Sequence, residues 1–296
     1  MKSSRYLLAA LLVAALMTQV VPCRSETVYM IGNSLTRGTE PAALPLLAEQ
    51  KSDELETGWH IKHGSSLIEI WTRPSAVNIP PSPEFGRFEE ALPNHKWDAV
   101  VVQPYYGPDA NPELDSNLEN DVKVILGMIE LTRRNPENAD TRFYLFQSWP
   151  QVRNPARPFR DSWDRILEDE ERIITVPVRD YYVRLLARLN EETDAEILMI
   201  PVAEVMYELD RQMASGEVPG YGGIAELITD KIHLNPGLGT YLSAATVYAT
   251  LFQKSPEGLV KPPEHYNFKD GGDAGPLFTP EIYDIFHQTI WDVVQE

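Results

Sequence analysis

Residues 97–105 read WDAVVVQPY, and the unbroken valines are the strongest limit this chain sets on its own fold. A strand with one wet face alternates apolar and polar side chains. A run without alternation belongs to a strand covered on both faces, as in a parallel sheet under two layers of helices. Four more segments have strand length and composition: residues 27–34 (TVYMIGNS), 58–64 (GWHIKHG), 141–149 (TRFYLFQSW) and 195–202 (AEILMIPV). Between them, apolar residues recur at helical spacing over 42–51, 118–134, 179–192 and 239–253, and an amphipathic stretch closes the chain over 280–295. Strands alternating with helices imply an α/β fold with a mostly parallel five-stranded sheet and helices on both faces. In such sheets, sites form at the carboxyl ends of strands. Ser34, Gly64, Gln103 and Trp149 all fall at such ends. The proline-rich stretches 72–85 and 150–160 then read as loops over the site, not as linkers between domains.

The first 25 residues read separately. Lys2 and Arg5 precede an apolar run, residues 7–17, that is shorter than the about 20 residues a membrane-spanning helix needs. Small residues at Cys23 and Ser25 then suit cleavage of an export signal. This predicts a signal peptide over 1–25, a single domain over 26–296, and a secreted or periplasmic protein with no stable membrane insertion after cleavage. An uncleaved anchor and a lipid anchor on Cys23 are the alternatives. Cys23 is the single cysteine. A chain cut after Ser25 has no thiol for a disulfide, a nucleophile or a metal ligand, and is held by its core alone. The formal net charge is −18. Loss of Lys2, Arg5 and Arg24 makes it more negative still. Such a surface repels nucleic acid and anionic membranes. No histidine or carboxylate spacing calls for a metal, and no cofactor motif is present. His60, His95, His265 and His287 read as surface residues.

The turn after the first predicted strand, IGNSL at residues 31–35, has two readings. Gly32 and Asn33 suit a simple turn. The same turn could lift Ser34 off the strand end as a nucleophile. A serine hydroxyl needs a base to take its proton, most often an imidazole, and the imidazole needs a partner to hold its tautomer and its cation. Asp230 and His233, three residues apart in TDKIHLN, have the right types at the right spacing. Alone, this pair is equally an acid near a helix start beside a surface histidine.

In combination the segments resemble the SGNH, or GDSL-like, hydrolase superfamily. GNSLT (residues 32–36), HGSSL (63–67), WDAVVVQ (97–103) and DKIHLN (230–235) carry the resemblance, which runs in order through nearly the whole chain after the leader. It implies a flavodoxin-like three-layer α/β/α sandwich that hydrolyses esters through a serine. It implies Ser34 as nucleophile, His233 as base and Asp230 as its partner. The oxyanion hole would take the backbone N–H groups of Ser34 and Gly64 and the side-chain amide of Gln103. Two positions depart from the family's pattern. Asn33 stands where an Asp is usual, and Gln103 where an Asn is usual. An α/β-hydrolase elbow, Gly-x-Ser-x-Gly, is excluded by Thr36.

Tyr105, Tyr106 and Trp149 fall on the same rim and could stack on a sugar ring, with His63 and Arg37 as further substrate contacts. Arg37, Arg73, Arg153, Arg157 and Arg160 cluster there as well, which raises an anionic substrate against the alternative of ordinary pairing with carboxylates. The expected partner is a small-molecule or glycan ester, with short acyl groups on carbohydrate foremost. A lipid or thioester hydrolase on the same fold and a catalytically inactive glycan-binding protein are the rival readings.

Overall fold

The computed structural model describes residues 24–104, 118–154, 157–168, 177–262 and 278–296. Tyr105 and Tyr106 lie outside the described residues, as does His265. Five strands, β1 Ser25–Gly32, β2 Glu54–Ile61, β3 Ala99–Val102, β4 Arg142–Phe146 and β5 Ile197–Ile200, form one sheet in the order β2-β1-β3-β4-β5. Every neighbouring pair is parallel. This is the flavodoxin-like order, whose direction of winding reverses between β1 and β3. The two strands are in register from Val28 opposite Ala99 to Ile31 opposite Val102. Their carboxyl ends therefore finish side by side.

Ten helices follow in chain order among the described residues: α1 Ser34–Arg37, α2 Leu44–Glu49, α3 Leu67–Thr72, α4 Phe88–Asn94, α5 Leu118–Thr132, α6 Phe159–Trp163, α7 Arg179–Glu192, α8 Val202–Ser215, α9 Leu238–Phe252 and α10 Pro280–Gln295. On one side of the sheet α9 packs against α2, α8 and α10. On the other, α5 packs against α3, α4 and α7. The chain is thus a three-layer α/β/α sandwich. β3 is buried at all four positions, as its valines require. Helix α9 is buried along its whole length, which explains its many small residues and its weak amphipathic pattern. Among the described residues no helix is long and apolar enough to cross a membrane.

Three local expectations are corrected. β2 begins at Glu54 rather than at residue 58. It is an edge strand, so Glu54 and Glu56 point to solvent, and their charge hid the strand. Helix α8 was not anticipated, because it starts directly behind Pro201 at the end of β5 with no intervening loop. His60 and His287 are not surface residues. His60 is fully buried, stacks on Phe88 and accepts the Phe88 N–H at 3.3 Å. His287 is buried against the Tyr241 hydroxyl at 2.6 Å.

Both buried histidines make the fold acid-sensitive. Burial, with Arg87 and Lys62 adding repulsion, lowers His60 from 6.5 to about 4. Burial likewise lowers His287 to about 4. Below pH 6.5 the unfolded chain takes up these protons while the folded chain does not. Stability therefore falls as pH drops from 6.5 towards 4, and levels off below. We expect the urea midpoint to fall across that window, and to fall less steeply in His60→Phe than in the wild type.

Candidate active site

The site is built on the ends of β1 and β3. β1 runs out at Gly32, and Asn33 caps α1 by accepting the Leu35 N–H at 3.0 Å. Ser34 is thereby the first residue of the helix. Gly32 is required by close approach: a Cβ there would lie 2.7 Å from Gln103 Oε1 and 2.8 Å from Gln103 Cβ. Gln103 is what the turn closes on. Its Oε1 accepts from Asn33 N at 3.1 Å, Thr36 N at 3.0 Å and Thr36 Oγ1 at 2.5 Å. Its Nε2 donates to Asn33 Oδ1 at 3.1 Å and to Ser148 Oγ at 2.9 Å. Ser148, just past β4, donates its hydroxyl to Pro104 O and its backbone N–H to the Tyr182 hydroxyl oxygen.

The expected part of Gln103 in the oxyanion hole is therefore corrected. The side chain is 1 % exposed, and both amide hydrogens are spent on Asn33 and Ser148. It holds the serine turn from beneath. Asn33 works with it. Its Nδ2 donates to Ser65 O at 3.1 Å, which ties the loop carrying Gly64 to the turn carrying Ser34. An aspartate at this position has no hydrogen to offer that carbonyl. The two amides, Asn33 and Gln103, thus form one hydrogen-bonded pair.

Gly64 has a left-handed backbone, φ +70°, in which a side chain would be strained. Its loop is braced by Asn78, whose amide spans the main chain of His63: His63 N donates to Asn78 Oδ1 at 2.9 Å, and Asn78 Nδ2 donates to His63 O at 3.3 Å. Asn78 sits in the proline-rich stretch and carried no signal in the sequence. Neither the Ser34 N–H nor the Gly64 N–H has an acceptor among the described residues.

The histidine that meets Ser34 comes from much further along the chain. His233 Nε2 lies 2.9 Å from Ser34 Oγ, and His233 Nδ1 lies 2.7 Å from Asp230 Oδ2. The other carboxylate oxygen, Asp230 Oδ1, accepts the backbone N–H groups of Lys231, Ile232 and His233 at 2.5, 2.9 and 2.9 Å. Partial burial raises the Asp230 carboxyl. The hydrogen bonds from the Ile232 N–H and from the imidazole and N–H of His233 outweigh it and hold the group well below the usual carboxylate range. Asp230 is therefore ionised at neutral pH, and it holds the imidazole in one orientation.

A cleft of about 380 Å³ opens at Ser34. Leu35, Gly38, Leu234 and Pro236 form its apolar wall, and Arg37 and His63 line its polar side. Burial first, then Arg37 and His233, lower the titration of His63, so its imidazole is neutral near pH 7. Trp149 also lines the cleft, but it is fully buried and donates Nε1 to Ile232 O at 2.8 Å. It is a wall of the site, not a free platform on the rim. The arginines are largely engaged. Arg37 pairs with Glu40 at 2.5 Å and Arg160 with Asp210 at 2.8 Å. Arg153 donates to the backbone carbonyls of Ala225, Ile228 and Thr229. Of the five, Arg73 and Arg157, both exposed, have side chains with no hydrogen bond or ion pair among the described residues. For Arg37 and Arg160 the alternative of ordinary pairing with carboxylates is the one observed. Among the described residues no group of three metal-binding side chains comes together.

No family model and no curated protein matches the chain. Solved structures do. A DUF4886 family protein from Bacteroides uniformis aligns over 92 % of this chain and 95 % of its own, with a TM-score of 0.61 and 15 % identity. A gut microbial diltiazem-metabolizing enzyme aligns over 79 % of this chain and 47 % of its own, with a TM-score of 0.41 and 14 % identity. A carbohydrate esterase family 2 enzyme with a carbohydrate-binding domain, from Corynascus thermopiles (Myceliophthora fergusii), aligns over 62 % and 59 %, with a TM-score of 0.33 and 15 % identity. The first of these likenesses shows the fold.

The paired amides can be tested directly. Asn33→Asp sets a carboxylate oxygen against the Ser65 carbonyl in a buried position. We expect a loss of about 1–3 kcal/mol, read as a lower thermal midpoint. The same variant should react more slowly at Ser34, because the Gly64 loop is no longer tied to the turn.

Proposed function

We propose that this protein is a serine ester hydrolase. The observation that carries the reading is the continuous chain Ser34 Oγ–His233 Nε2 at 2.9 Å and His233 Nδ1–Asp230 Oδ2 at 2.7 Å, opening on a cleft. In this reading Ser34 attacks the ester carbonyl and His233 takes its proton. The Ser34 and Gly64 N–H groups receive the developing oxyanion. His233 then protonates the departing alcohol, and water, activated by the same imidazole, releases the acyl group. Asp230, kept ionised by its hydrogen bonds, stabilises the imidazolium in both steps.

Short acyl esters of carbohydrate, acetyl foremost, are the proposed substrates. The family resemblance, the leader-like start of the chain and its acidic surface support this, and with them a secreted or periplasmic location. One observation favours a second reading. The wall formed by Leu35, Gly38, Leu234 and Pro236 is apolar and suits an acyl group larger than acetyl, as in a lipid or thioester hydrolase.

A fluorophosphonate probe tests the common part. We expect a single adduct on Ser34, mapped by peptide mass, and none in Ser34→Ala or His233→Ala. Asp230→Asn should keep the fold and lower the rate of labelling by about a thousandfold or more. No adduct on folded wild-type protein would leave the glycan-binding reading in front. Rates on p-nitrophenyl esters of rising chain length then separate the two substrate readings. A maximum at acetyl supports the first, and a maximum at longer chains the second.

A further inference from the structure

The segment bearing Asp230 and His233 is a short closed turn. Ile228 bridges Leu234, Thr229 N donates to His233 O at 2.8 Å, and Asp230 Oδ1 gathers three N–H groups within the turn. These bonds set its internal shape. They do not set where it sits over Ser34. Its base is held by Asn235, which donates Nδ2 to Glu226 O at 2.9 Å and its own N–H to Leu227 O at 2.8 Å. Its flank is held by the loop that leaves β4. Trp149 Nε1 donates to Ile232 O at 2.8 Å, and Val152 N donates to Lys231 O at 2.9 Å.

Arg153 completes that flank. Nη1 donates to Thr229 O at 3.2 Å, and Nη2 donates to Ala225 O at 3.1 Å and Ile228 O at 2.7 Å. Two carbonyls at the start of the turn and one from the helical segment before it converge on one guanidinium. No carboxylate among the described residues pairs with it, in contrast to Arg37 and Arg160. Its charge is directed wholly to the main chain that carries the acid and the base. A planar fork can reach three carbonyls at once, whereas an ammonium on a flexible stem cannot hold the same three in place.

We propose that Arg153 is a positioning residue for the acid–base turn: it fixes the turn carrying Asp230 and His233 at the height that places His233 Nε2 against Ser34 Oγ. This rests on the reading of Ser34 as the nucleophile. Arg153 touches no reacting atom. It acts through the carbonyls of Ala225, Ile228 and Thr229, which lie just ahead of Asp230, and a displacement there shifts the turn that carries the imidazole.

Arg153→Met removes the guanidinium and keeps an unbranched apolar stem. We expect kcat, and the rate of fluorophosphonate labelling per folded molecule, to fall roughly 100-fold, with KM nearly unchanged. Arg153→Lys should recover a small part. Millimolar guanidinium should restore part of the rate in Arg153→Ala and none in His233→Ala, since the site is open to solvent. A merely structural residue would lower the thermal midpoint and leave the rate per folded molecule alone. Wild-type labelling of folded Arg153→Met would therefore overturn the proposal. If the wild type itself gives no adduct and no ester turnover, the nucleophile reading fails on its own. Amide exchange over residues 228–233 still decides the placement of the turn. Faster exchange in Arg153→Met upholds the clamp, and unchanged exchange overturns it.

Discussion

The carboxamide of Gln103 is the contact on which the site depends. It stands at the end of β3 and spends every hydrogen-bonding position it has. Two main-chain N–H groups and one hydroxyl of the turn after β1 reach its oxygen, and its two hydrogens go to Asn33 and Ser148. An apolar residue of the same size would strand those buried donors, at about 1–3 kcal/mol each. The parallel sheet makes the arrangement possible. β1 and β3 run in register and finish together, so a side chain from one strand end can plug the turn of the other.

From that plug the constraint spreads outward. Asn33 passes it to Ser65 and so to the Gly64 loop, while Thr36 passes it into α1. Ser34 is left as the one polar side chain of the turn that faces the cleft. The histidine that meets it, His233, comes from 199 residues further along the chain. Its contact with Asp230 is about half exposed on both sides. Such pairs contribute roughly 0–1 kcal/mol, too little to hold a loop in place. The main-chain hydrogen bonds from Trp149, Val152, Arg153 and Asn235 hold it instead. Serine and base thus have separate supports, one beneath the sheet ends and one beside the turn, and both draw on the residues that follow β4.

Much of this was legible in the sequence. The valine run placed β3 in the middle of a covered parallel sheet, and the helical periods over 179–192 and 280–295 matched α7 and α10 residue for residue. The serine turn and the Asp-x-x-His pair stood out by residue type and spacing, and the structure brings the three side chains into one hydrogen-bonded row. Three of the misreadings share one cause. Gln103, Trp149 and Arg153 were placed at the right strand ends, but their side chains turn the other way. Gln103 faces the turn's underside, Trp149 lies buried against Ile232, and Arg153 reaches across to the carbonyls. His60 and His287 were read as surface residues because histidine carries no burial signal of its own.

The sequence by itself determined the layers, the succession of strands and helices, and which residue types stand at the strand ends. Those properties follow from hydrophobic periodicity and turn chemistry, which are local along the chain and need no direction. The tertiary structure alone decided which polar group meets which. A hydrogen bond needs a partner at the right distance and angle, and the partners of Asn33, Gln103, Arg153 and His233 come from segments far apart in sequence. Only the packing of the sheet and its two helix layers brings those segments together, so the choice of partner could not be read from any one of them.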